Sequence, residues 1–97
     1  MDGLYKAIAA LGEKFNAEKI VLFGSRARGD NHEGSDIDLA VYGMPKKDQS
    51  GFWWEIDDLP TLLKFDIVYI TADTDAGLLN NIEKDGVVLY ERLSDKG

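Results

Sequence analysis

Apolar residues near the start of the chain follow the period of an α-helix. They recur at spacings of four, three and four residues, at Leu4, Ile8, Leu11 and Phe15. This spacing places the four side chains on one face of a helix over residues 3–15, and such a face is expected to pack on a core. Asp2 directly precedes the stretch and is a candidate N-cap.

Later apolar stretches predict four strands. Residues typical of strands are concentrated in short runs at 19–23, 36–42, 65–70 and 87–90. In the second run, apolar side chains alternate with Asp36 and Asp38. Because successive side chains of a strand point to opposite faces, the two aspartates are expected on the same face.

Helical patterns separate these strands. A short helix is predicted at Ser25–Gly29, a second over residues 52–59 before Pro60, and a third between its candidate cap Thr74 and its stop signal Gly86. Polar connections are predicted at residues 30–35 and 46–51, and a frayed end at Lys96-Gly97.

The alternation of helices and strands predicts helices packed on a sheet. The link between the first two strands is short enough for them to pair antiparallel, which favours a mixed sheet.

Composition limits the classes of protein that remain. A chain of 97 residues with 44% hydrophobic residues is expected to form one small domain over residues 1–97. It has no cysteine, which excludes disulfides and is compatible with the cytoplasm, our expected location. We expect no membrane association, because no apolar run approaches the ~18 residues of a membrane span. The net charge of −7 disfavours broad binding to nucleic acid.

The segment from Gly24 to Asp38 contains the candidate chemistry. Gly24 and Ser25 follow an apolar strand and precede a short helix, and glycine lets the backbone approach a phosphate closely. Ser25 offers a hydroxyl and an N–H group. Asp36 and Asp38 on one face are costly neighbours unless a cation lies between them. Together these features suggest a nucleotide with magnesium.

This segment resembles a known signature. Gly24-Ser25, ten residues, then Asp36-x-Asp38 is similar to the motif of the nucleotidyltransferase superfamily with the polymerase-beta-like fold. The local sequence is most similar to the minimal nucleotidyltransferases, which are the antitoxin partners of HEPN-domain toxins. The resemblance implies a small α/β (α+β-like) domain in which helices pack on a mixed four-stranded sheet.

The resemblance also implies roles for individual residues. Asp36 and Asp38 would hold two magnesium ions. Asp66 interrupts an apolar run at a position expected to be buried, where a lone carboxylate needs a partner or a metal. It matches the family's third carboxylate, a metal ligand and candidate general base.

Gly24 and Ser25 would bind the triphosphate. Arg26 and Arg28 lie two residues apart, so on a helix they point in different directions. We favour Arg28 as the arginine that reaches the triphosphate, and expect Arg26 to be a solvated surface charge.

Two other motifs fail on inspection. Gly24 and Gly29 have the spacing of a P-loop, but Asp30-Asn31 stand where lysine and serine or threonine are required. An EF-hand loop starting at Asp30 would place Val41 where a bidentate glutamate is needed. His32 is the only histidine, so a histidine-based zinc cluster is excluded.

Two functions remain open. The first is a magnesium-dependent enzyme that transfers a nucleoside monophosphate, AMP from ATP by resemblance, to a hydroxyl and releases pyrophosphate. Its acceptor would be a partner protein, which the resemblance implies is a HEPN-domain ribonuclease toxin, although a small-molecule hydroxyl is an alternative. The second function is an antitoxin that neutralises its toxin by binding alone. Either would form a hetero-oligomer with the partner, and one of the adjacent residues Trp53 and Trp54 is expected to be exposed as part of that interface.

Overall fold

The computed structural model describes residues 2–32 and 34–93 and contains four helices and four strands in alternation. The helices are α1 (Asp2–Lys14), α2 (Ser25–Arg28), α3 (Lys46–Asp57) and α4 (Ala76–Asp85). The strands are β1 (Lys19–Phe23), β2 (Ile37–Tyr42), β3 (Phe65–Ile70) and β4 (Val87–Glu91). The predicted element order is confirmed, while the frayed end predicted at Lys96-Gly97 lies outside the described residues.

The strands form one mixed sheet in the order β3-β2-β1-β4. β1 pairs antiparallel with both β2 and β4, whereas β2 and β3 are parallel and are connected through α3. The predicted antiparallel pairing of the first two strands is therefore confirmed. One end of the sheet, which we call the Gly24 end, brings together the end of β1 and the beginnings of β2, β3 and β4.

The main core lies on one face of the sheet. Ile37, Leu39 and Val41 of β2 pack there with residues of α1 and α3, including Ile8, Phe52 and Ile56. The opposite face carries a smaller buried cluster of Val21, Ala40 and Ile82, the last from α4. The alternation predicted for the second strand is therefore confirmed. No helix within the described residues is both long and apolar enough to cross a membrane.

The polar connection predicted at residues 46–51 is wrong, because α3 begins at Lys46. Pro45 is the N-cap residue of α3, and its carbonyl accepts a hydrogen bond from the Asp48 N–H group at 2.9 Å. The first turn is polar, so apolar periodicity could not reveal it. Gly51 lies within α3, where an added Cβ would contact the ring of Phe15.

Two predicted helix caps are also wrong. Asp2 is the first residue of α1 rather than its cap. Asp75 caps α4, since its Oδ2 accepts a hydrogen bond from the Leu78 N–H group at 3.0 Å. The Thr74 hydroxyl instead accepts one from the Thr71 N–H group at 2.8 Å. Gly86 follows α4 as predicted, and its N–H group bonds the Ile82 carbonyl.

The adjacent tryptophans of α3 are both exposed, where the sequence predicted one. Trp53 exposes 47% and Trp54 67% of its surface, and their rings meet edge to face with centroids 5.4 Å apart. Phe52 and Ile56 occupy the buried side of the helix. Both indole rings are therefore available to a partner.

Candidate active site

The turn after β1 requires glycine. Gly24 has φ 76° and ψ −157°, a conformation essentially restricted to glycine. An added Cβ at Gly24 would also contact Oδ2 of Asp38. The turn therefore places backbone directly against a carboxylate that the sequence analysis selected.

The helix α2 extends from this turn for a single turn. The Gly24 carbonyl accepts hydrogen bonds from the N–H groups of Ala27 and Arg28, both at 3.1 Å. Gly29 ends α2 in the left-handed conformation, with φ 85°. The first N–H groups of a helix lack carbonyl partners within it, and α2 begins at Ser25, directly after the turn. Such groups favour anions.

Asp38 and Asp66 lie side by side on neighbouring strands. They are register partners in the parallel pair of β2 and β3, and Phe23, which precedes the Gly24 turn, is the partner of Asp38 on β1. Asp36 stands just before β2 and is exposed. The structure therefore brings all three predicted carboxylates to the Gly24 end of the sheet, with Asp38 directly against the glycine turn.

The expectation that Asp66 is buried is wrong. Asp66 is exposed because β3 lies at the end of the strand order. Its apolar neighbours Phe65 and Ile67 pack against the main core on the opposite face. An apolar run identified a strand correctly, but it did not reveal that this strand is at the edge.

The electrostatics single out Asp38. Partial burial raises the pKa of its carboxyl, the negative charges of Asp66 and Asp36 raise it further, and the Arg28 guanidinium partly opposes them. Asp66 and Asp36 are thus close enough to disfavour the charge of Asp38. A bound cation would relieve this repulsion.

A metal ion would have oxygen ligands here. Carboxylates are the ligands that magnesium prefers in proteins, so the chemistry of these residues fits that ion. Among the described residues, however, no three acidic, histidine or cysteine side chains are already grouped as a metal site. The carboxylates of Asp36, Asp38 and Asp66 would have to turn towards one another to share an ion.

Arg26 connects α2 to the loop before Asp36. Its Nε and Nη2 both donate to the Ser35 carbonyl, at 3.1 and 2.9 Å. The expectation of a solvated surface charge is therefore wrong. Sequence reasoning missed this contact because its acceptor is a backbone carbonyl, which leaves no signature in the residue types. Arg26 holds the glycine turn and the aspartates in one arrangement.

Arg28 points elsewhere, as predicted for a residue two positions along a helix. Its Nε lies 3.2 Å from Oδ2 of Asp30, and both side chains are largely exposed. Its charge also acts on Asp38. Arg28 is therefore a partly exposed cation close to Asp38.

Comparisons with known proteins identify the family of the chain. The family described as "Polymerase beta, Nucleotidyltransferase" matches residues 6–95. The chain is 36% identical over 86 residues to MJ0128 of Methanocaldococcus jannaschii, an inferred protein adenylyltransferase, and the match covers 87% of this chain and 88% of the relative.

Solved structures share the fold. A chain of a toxin–antitoxin structure with AMP-PNP superposes with a TM-score of 0.70 at 23% identity, over 95% of this chain and 76% of the other. A chain of the complex between tri-AMPylated Shewanella oneidensis HEPN toxin and MNT antitoxin superposes with a TM-score of 0.66 at 19% identity, over 95% of this chain and 74% of the other. The mixed sheet with its helices is the nucleotidyltransferase fold, and the chain belongs to the polymerase beta nucleotidyltransferase family.

Proposed function

We propose that this protein is an adenylyltransferase that moves AMP from ATP to a hydroxyl group of a partner protein. The observation that carries the proposal is the alignment of Asp38 with Asp66 beside the Gly24 turn. The similarity to MJ0128, an inferred protein adenylyltransferase, supports a protein as acceptor. ATP as the donor is supported by the shared fold of the chain solved with AMP-PNP.

The triphosphate is bound at the glycine turn. Gly24 lets the phosphates approach the backbone, Ser25 offers its hydroxyl and N–H group, and Arg28 supplies a cation. Asp36, Asp38 and Asp66 would hold two magnesium ions. Bound there, magnesium would neutralise phosphate charge and lower the pKa of the attacking hydroxyl.

The transfer is a substitution at the α-phosphorus. The acceptor oxygen forms a bond to that phosphorus while the bond to the β,γ-pyrophosphate breaks, and pyrophosphate leaves with the electron pair. Asp66 accepts the hydroxyl proton. Its exposure on the edge strand leaves it accessible from the side where a partner would dock. Asp38, half-buried between β1 and β3, stays with the triphosphate.

The proposed acceptor is a tyrosine of a HEPN-domain ribonuclease toxin, which the added AMP neutralises. The shared fold with a chain of the AMPylated Shewanella HEPN toxin complex supports this partner. A nucleotide adds negative charge, which would repel RNA from the toxin. The net charge of −7 on this protein suits a basic partner surface.

Co-expression with a HEPN protein encoded beside this chain tests the proposal. We expect the intact mass of that partner to increase by whole AMP units with the wild type and to remain unmodified with Asp36→Asn. The control is Asp73→Asn, which changes an exposed aspartate after the end of β3, at the opposite end of the strand from the Gly24 end. An unmodified partner that Asp36→Asn still neutralises would support the binding antitoxin instead.

A further inference from the structure

A hollow lies beside Asp36 at the Gly24 end of the sheet. It measures about 460 Å³ and is lined by Gly34, Asp36, Leu62, Leu63 and Lys64. Its walls come from the loop before β2 and from the segment that precedes β3. The hollow therefore opens directly beside one of the three carboxylates of the proposed catalytic site.

Hydrogen bonds to the backbone hold both walls of this hollow. The Lys64 carbonyl accepts a hydrogen bond from the Ile37 N–H group at 2.9 Å, which joins the beginnings of β2 and β3. In the loop, the Arg26 guanidinium donates twice to the carbonyl of Ser35, the residue before Asp36. The two walls are therefore fastened to the sheet and to α2, so the shape of the hollow is defined by the fold.

The lining of the hollow suits a flat, uncharged group. Leu62 is fully exposed and Leu63 is partly buried against the main core, so one wall carries apolar side chains. Asp36 and Lys64 bring one negative and one positive charge, so the lining has no net charge with which to select a charged side chain. A nucleobase is flat and uncharged, and its ring gains contact with leucine and with the aliphatic stem of lysine.

The geometry of the proposed reaction limits where the nucleoside can lie. The attacking and leaving oxygens are roughly in line at the α-phosphorus, so the nucleoside is attached at the side. In the proposed complex the pyrophosphate lies at the Gly24 turn and the acceptor approaches by Asp66. Ala40 is fully buried two residues beyond Asp38 on the same face, which closes the way along β2. The side of Asp36, where the hollow lies, stays open.

We infer that the hollow beside Asp36 binds the base of the nucleoside triphosphate, an inference that rests on the proposed function. The base lies against Leu62 with the stem of Lys64 beside it, and the ribose connects the base to the α-phosphate at the aspartates. A purine covers more of Leu62 than a pyrimidine does, because its ring system is larger. Leu62 and Lys64, which lie outside the motif from Gly24 to Asp38, therefore contribute to nucleotide affinity and preference.

Calorimetric titration with two probes tests this inference without catalysis. The probes are ATP and inorganic tripolyphosphate, each with magnesium, because both carry three phosphates and only ATP carries a base. We expect Leu62→Ala to weaken ATP binding about fivefold and to leave tripolyphosphate binding unchanged. The matched control is Leu93→Ala, which changes another exposed leucine beyond the end of β4, at the opposite end of the sheet. The control should bind both probes as the wild type does.

Comparison of ATP with CTP provides the second test. We expect the wild type to bind ATP more tightly than CTP, and this difference to shrink in Leu62→Ala, because alanine leaves less side chain for the larger ring to cover. A difference of the same size in both proteins would show that Leu62 does not contact the base.

Three other results of the titrations would overturn the inference. One is an unchanged ATP affinity in Leu62→Ala, or an equal loss for ATP and tripolyphosphate. Another is a raised KM for the HEPN partner with the ATP affinity intact, which would assign the hollow to the acceptor. A wild type that binds neither probe would remove the proposed function together with the inference, whereas a wild type that transfers AMP while Leu62→Ala binds ATP normally would remove the inference alone.

Discussion

Asp38 and Asp66 occupy the same register of one sheet but differ in environment. Asp38 lies on β2 between two neighbouring strands and is half-buried, whereas Asp66 lies on the edge strand β3 and is exposed. Burial and neighbouring charge raise the pKa of Asp38. In the proposed reaction, the inner carboxylate would be a metal ligand beside the triphosphate, and the outer carboxylate would accept the proton of an acceptor that arrives from solvent.

The inner position should be the more sensitive to substitution. We expect Asp38→Asn to lower transfer by about three orders of magnitude or more, because a metal ligand acts directly on the transition state. The variant should fold, since it loses like-charge repulsion. Labelled-nucleotide transfer and the melting temperature measure the two effects. Near-normal turnover in a folded Asp38→Asn protein would remove Asp38 from the catalytic set.

The outer position should separate chemistry from nucleotide binding. We expect Asp66→Asn to lose transfer as well, but to bind ATP with magnesium more tightly than Asp36→Asn or Asp38→Asn. The reason is that Asp66 serves the acceptor side. Calorimetric titration of the three variants measures the affinities. The same loss of affinity in all three would show that the two sides share one role.

The link made by Arg26 should matter less than the carboxylates. Arg26→Ala removes both hydrogen bonds to the Ser35 carbonyl, so the turn and the aspartates can shift apart. A displacement of about 1 Å reduces kcat by roughly 10- to 100-fold. Arg26→Lys, which can restore one donor, should recover part of the kcat. If lysine and alanine give the same rate, Arg26 does not act by positioning.

The smallest expected effect is on stability against pH. The folded state raises the pKa of Asp38, so its ionised form lowers the free energy of unfolding, and this loss disappears as the pH falls through the raised pKa. In metal-free buffer, Asp38→Asn should therefore melt higher than the wild type at about pH 7, with a smaller difference near pH 4. Thermal unfolding across this range measures it. A difference that grows on acidification would contradict the electrostatic account.

The sequence predicted those parts of the molecule that depend on local pattern. Strand positions followed from apolar runs, and Gly24 and Asp38 were recognised because the motif lies within one short segment. The start of α3 was missed because its first turn is polar. The exposure of Asp66 depends on strand order, and the role of Arg26 depends on a backbone carbonyl, so neither is encoded in residue spacing.

The surroundings of Trp53 show the same limit. The sequence identified the adjacent tryptophans as a candidate interface, but it could not show that Trp53 lines one hollow with Phe65 and Lys64, which are brought there by the fold. Contacts between distant segments required the structure. The roles that the motif assigns to Asp36, Asp38 and Asp66 stay predictions.

We propose that the aspartates at the Gly24 end of the sheet catalyse the transfer of AMP to a protein. The most direct measurement incubates the HEPN partner with this protein, magnesium and ATP labelled at either the α- or the γ-phosphate. We predict that the α-label becomes attached to the partner, that the γ-label leaves as pyrophosphate, and that Asp38→Asn transfers neither. Attachment of the γ-label, or α-label transfer that persists in Asp38→Asn, would contradict the account.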